Sequence, residues 1–106
     1  MRPAIKATSS RPSPAPFSPE IDAATRLAIQ CHHAGDIATA EKLYGHVLLI
    51  KPDHPLCLHN LGTIRLKRND LKAALDLLEA AVLAEGRRPL FHCTLGTARL
   101  QAGNAD

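Results

Sequence analysis

The hexapeptide Leu61-Gly62-Thr63-Ile64-Arg65-Leu66 returns 34 residues later as Leu95-Gly96-Thr97-Ala98-Arg99-Leu100. A period of that length is too long for one coil of a β-helix and too short for a propeller blade, but it accommodates two short helices and two turns. The same interval upstream of Leu61-Gly62 holds Leu27-Ala28, with alanine as the small residue of a close helix crossing. The first copy continues with Gly35-Asp36, Ala40, Tyr44, Val47 and Pro52, and the second with Asn69-Asp70, Ala74, Leu78, Ala81 and Gly86. The third shows Leu95, Gly96 and Gly103-Asn104 before Asp106. The copies span 21–54, 55–88 and, in part, 89–106, about two and a half units.

Local signals predict five helices and no sheet. Ser18-Pro19-Glu20 combines an N-cap, a first-turn proline and an acid at the positive helix end, so the first helix is expected to start there and run to about Ala34. Asp36 and Asp70 stand where N-caps belong, and Pro55 and Pro89 suit first turns. Leu71, Ala74, Leu75, Leu78 and Val82 fall on one stripe at spacings of three and four, an amphipathic helix and not a strand.

These residues resemble the tetratricopeptide repeat, whose pattern is W-x2-L-G-x2-Y, a glycine turn, A-x3-F and a proline. Ala28, Ala40, Tyr44 and Pro52 match in the first copy, and Leu61-Gly62, Ala74, Leu78 and Ala81 in the second. Ala24, Leu58 and His92 replace the tryptophan, and Cys31, Arg65 and Arg99 the tyrosine. Such arginines can lay their stems on apolar surface with the guanidinium in water. The resemblance covers residues 21 to 106 and implies an all-α fold, a right-handed solenoid of helix-turn-helix hairpins.

In such a stack the first helix of every pair lines a concave surface, which implies binding of another protein or an extended peptide. The expected groove residues are Arg26, Ile29 and His33 in the first copy, His59, Asn60, Thr63 and Lys67 in the second, and Thr94, Thr97 and Gln101 in the third. Asn60 stands out, because a carboxamide both donates and accepts and can pair with any peptide unit. Its His-Asn-Leu-Gly context is similar to repeats of protein O-linked N-acetylglucosaminyltransferases, where asparagines hold the target backbone. Arg26 and Thr94 take the matching places, so there is no asparagine ladder. The lysine and asparagine clamp of some family members is also missing, with Thr25 and Ile29 in its places.

Residues 1–17 form a different material, a Pro- and Ser-rich basic tail with Arg2, Lys6, Arg11, four of the eight prolines and no acid. Such a composition predicts disorder. The tail carries the whole net charge of +3, since ten basic residues balance ten acids from Glu20 onward. With Phe17, Tyr44 and Phe91 as the few aromatics, the repeats offer neither counterion release nor a base-stacking platform, which argues against nucleic acid. The cluster Arg65, Lys67 and Arg68, with Arg87 and Arg88, reads as a solvated face or a contact for an acidic peptide.

Three cysteines and six histidines lack the spacing of a metal site, because neighbours such as Cys31-His32-His33 diverge by about 100° on a helix. The same divergence disqualifies Cys31-His32 and His92-Cys93 as catalytic pairs. No phosphate loop, nucleophile elbow or zinc-protease motif occurs. No cofactor and no enzymatic activity are expected. An odd cysteine count without a secretory signal or membrane span suggests a cytoplasmic protein.

The third leading helix shows an apolar face, Phe91, Leu95, Ala98 and Leu100, to a helix that the sequence does not supply. Self-association through that face is one expectation. The other is a fragment: the first repeat is similar to those that open bacterial transferases, so the repeats would recruit substrate to a catalytic domain beyond Asp106.

Overall fold

The computed structural model describes residues 19–104. The basic tail, the Ser18 cap and residues 105–106 lie outside them. Five helices follow one another: α1 Pro19–His33, α2 Ile37–Ile50, α3 Pro55–Lys67, α4 Leu71–Ala84 and α5 Pro89–Asn104. Among the described residues there is no strand.

The turns inside the hairpins repeat with the sequence. Gly35 (φ 90°) and Asn69 (φ 64°), 34 residues apart, adopt the left-handed conformation that glycine and asparagine tolerate best. After α1 the Asp36 amide donates to the Cys31 carbonyl at 2.8 Å and Gly35 to His32 at 3.2 Å. After α3 Asp70 donates to Arg65 at 2.9 Å and Asn69 to Leu66 at 3.0 Å. Both are Schellman closures, which reverse the chain and leave consecutive helices antiparallel.

The caps follow expectation only in part. Asp36 Oδ1 accepts from the Thr39 amide at 3.3 Å. Asp70 sits at the N-cap of α4, but its side chain makes no capping bond. His54, not anticipated, caps α3 by accepting from the Cys57 amide on Nδ1 at 3.3 Å, which requires that nitrogen unprotonated. Burial, then the Lys51 charge, lowers its pKa and favours this form.

The core runs along the stack as successive layers. Ala28, Ala40, Tyr44, Val47, Cys57, Leu61 and Ile64 join α1, α2 and α3. Ala74, Leu78, Leu95 and Ala98 join α4 and α5, with Leu66 of α3 packed on them. The α3–α4 crossing depends on Gly62, where a Cβ would lie 2.8 Å from Leu78 Cγ. Arg65 and Arg68 reach back to Glu41 of α2 at 3.7 and 2.8 Å. The tyrosine-to-arginine replacement at position 65 thus adds a partly exposed ion pair, a modest contribution.

Candidate peptide-binding surface

The leading helices α1, α3 and α5 meet side by side through one repeated contact. Thr25 Oγ1 of α1 lies 3.6 Å from Cys57 Sγ of α3. One period later the His59 ring of α3 stacks on Phe91 of α5, centroids 4.6 Å apart and planes inclined by 18°. Positions 25 and 59 are equivalent, as are 57 and 91, and all four are buried.

This seam moves His59 out of the open groove. It is 6 % exposed, and its Nε2 faces Thr94 Oγ1 at 3.0 Å. The helical stripe alone put His59 with its accessible neighbours, but α5 covers it. Its counterpart Thr25 stands in the same place of the first copy and is likewise buried against the next leading helix, a burial that helical spacing does not signal.

The hydrogen bonds around His59 assign its protons. Thr94 Oγ1 lies 3.0 Å from His59 Nε2 and 2.9 Å from the Leu90 carbonyl, and its single proton serves either acceptor. His59 Nδ1 faces the Asn60 carboxamide oxygen at 3.1 Å, which only accepts, so a neutral ring carries its proton on Nδ1 and leaves Nε2 to accept from Thr94. A protonated ring would donate from both nitrogens, to Asn60 and to Thr94. Burial is the main cause lowering the His59 pKa, followed by a raising effect of Asn60 and a lowering one of Arg88, and the neutral form prevails.

The Asn60 side chain also acts on the buried Tyr44 phenol, partly offsetting the rise that burial gives the tyrosine pKa. On its other side Tyr44 Oη lies 3.2 Å from His32 Nδ1. A continuous polar chain therefore runs from α1 through α2 and α3 to α5, at the base of the face. Asn60 is half-buried at its middle.

The remaining predicted residues are placed as follows. Arg26 is exposed and paired with Asp22 at 3.0 Å. Ile29 is half-buried and His33 exposed. Thr63 and Thr94 are half-buried, while Lys67, Thr97 and Gln101 are exposed. Thr63 and Thr97 donate to the carbonyls of His59 and Cys93 at 2.7 and 3.0 Å, leaving their oxygens as acceptors for a ligand. Among the described residues no group of three or more His, Cys, Asp or Glu could hold a metal ion. No helix among them is long and apolar enough to cross a membrane.

No curated protein matches the chain. The family model of the tetratricopeptide repeat matches residues 20–82. With its 34-residue period, its paired helices and the small-residue crossing at Gly62, the chain belongs to the tetratricopeptide repeat family, whose repeats are protein-interaction modules.

Proposed function

We propose that the chain binds an extended segment of another protein along the face of α1, α3 and α5. The observation that carries this reading is the row of accessible polar and aliphatic side chains on three adjacent leading helices. Arg26, Ile29 and His33 supply one end, Asn60, Thr63 and Lys67 the middle, and Thr94, Thr97 and Gln101 the other end. His59 supports the row from beneath. Recruiting substrate for a transferase would be a special case of the same binding.

Partners recovered by pull-down and mass spectrometry supply ligands for titration calorimetry. Asn60→Ala is expected to weaken binding by the worth of one or two hydrogen bonds, roughly 0.5–1.5 kcal/mol each. Glu79→Ala, on α4 and exposed beside Arg99 at 3.5 Å, is expected to leave affinity unchanged. Because Asn60 also braces His59 and Tyr44, the thermal midpoints of both variants are measured alongside. Equal losses at the two positions, or a loss at Glu79 alone, would remove the site from this face.

A second reading rests on the outer side of α5. A Cβ at Gly62 meets Leu78, whereas one at the equivalent Gly96 meets nothing within 4 Å. Leu66 packs against Ala74, Leu78, Leu95 and Ala98, but its counterpart Leu100 is 67 % exposed. A second copy of α5 crossing at Gly96 would cover this face symmetrically. Sedimentation is expected to show a concentration-dependent dimer that Leu100→Lys abolishes. A monomer at every concentration would rule the pairing out.

A further inference from the structure

The end of α1, the start of α2 and the end of α3 form an open cavity of about 270 Å³, lined by His32, Ile37, Ile64, Lys67 and Arg68. Its floor is aliphatic: Ile64 is 2 % exposed and Ile37 is half-buried. Its rim is cationic. Glu41 is already shared by Arg68 at 2.8 Å and Arg65 at 3.7 Å, so cations exceed carboxylates there. Lys67 is exposed and forms no ion pair among the described residues. His32 spends Nδ1 on the Tyr44 hydroxyl at 3.2 Å, which leaves Nε2 unengaged.

We propose that this cavity is a subsite for an acidic peptide segment, seating an aliphatic side chain on Ile37 and Ile64 and a neighbouring Asp or Glu carboxylate against Lys67 and His32. The inference rests on the peptide-binding reading and gives one end of the face a preference. A bare inorganic anion would leave the aliphatic floor unfilled, and a purely apolar segment would leave Lys67 facing desolvation without a partner. A carboxylate on an aliphatic neighbour satisfies both halves.

The proposal carries a spectroscopic signature. The titratable and charged groups facing His32 are His33 on its own helix, Tyr44 on α2 and Lys67 and Arg68 on α3. Burial, then Lys67, then His33 lowers its pKa. A carboxylate placed between His32 and Lys67 opposes those effects, so binding raises the His32 pKa and takes up a proton below neutrality.

The test is an NMR titration of the full chain with three probes: N-acetyl-leucyl-glutamate with its α-carboxyl amidated, the glutamine analogue of the same shape, and N-acetyl-leucine. The glutamate probe is expected to shift the amides of Ile37, Ile64 and Lys67 and to raise the His32 pKa. The glutamine probe is expected to bind about tenfold more weakly, the worth of one charge-assisted bond. Lys67→Gln, a surface change that leaves the circular dichroism unaltered, is expected to bring the two probes to parity. Equal affinity in the wild-type chain, an unmoved His32 pKa or shifts confined to other residues would overturn the subsite. Tighter binding of N-acetyl-leucine would assign the cavity to a chain terminus instead of an acidic side chain. The probes need the cavity alone, so a silent titration removes this subsite while the Asn60 comparison still decides the wider face.

Discussion

Leu78→Asp is expected to unfold the chain, with loss of the far-ultraviolet helical signal. Leu78 is 1 % exposed, and its Cγ lies 2.8 Å from where a Cβ on Gly62 would stand. It also packs with Leu95 and Ala98 of α5, so one side chain ties three helices together. Burying a leucine stabilises by roughly 1.5–3 kcal/mol. An ionised carboxylate in its place adds a penalty of several kcal/mol for an unpaired buried charge. The combined loss is comparable to the whole stability of a small domain, about 5–15 kcal/mol. A helical spectrum with an unchanged thermal midpoint would put Leu78 outside the core and overturn the repeat register.

Phe91→Ala is expected to cost about 3–5 kcal/mol, the range for truncating a buried aromatic, and to release α5 ahead of the rest. Phe91 is fully buried. It fills the cluster with Leu58 and Ala81, stacks on His59, and carries the Arg88 guanidinium 5.3 Å from its ring centre. In a solenoid each unit contacts only its neighbours, so the loss stays local. Hydrogen exchange is expected to show α5 amides losing protection while those of α1, α2 and α3 keep theirs. Uniform loss across all five helices would show that the stack unfolds as one unit and that this seam is not separable.

The groove and the seam differ in how far the chain announces them. Helix boundaries were readable because each is written locally: Pro55 and Pro89 open α3 and α5, and Gly35 and Asn69 close α1 and α3. Which polar side chain performs a cap was less so. Asp36 and Asp70 occupy equivalent positions, yet the first caps with its side chain and the second does not, while His54 does. A capping bond depends on a rotamer, and rotamers respond to packing as well as to sequence.

By itself the sequence determined the period, the five helices, the apolar stripe that includes Leu78 and the need for a small residue at Gly62. These follow from spacing and side-chain size, which any helix expresses along its own axis. The tertiary structure alone decided what lies between helices. It placed His59 under Phe91 and took it out of the open face, gave Asn60 to Tyr44 and His59, paired Arg65 and Arg68 with Glu41, and gathered His32, Ile37, Ile64 and Lys67 around one cavity. The physical reason is that a helical stripe fixes the direction of a side chain but not the angle at which the next helix crosses it, and that angle decides whether a polar group meets water, a ligand or a neighbouring ring.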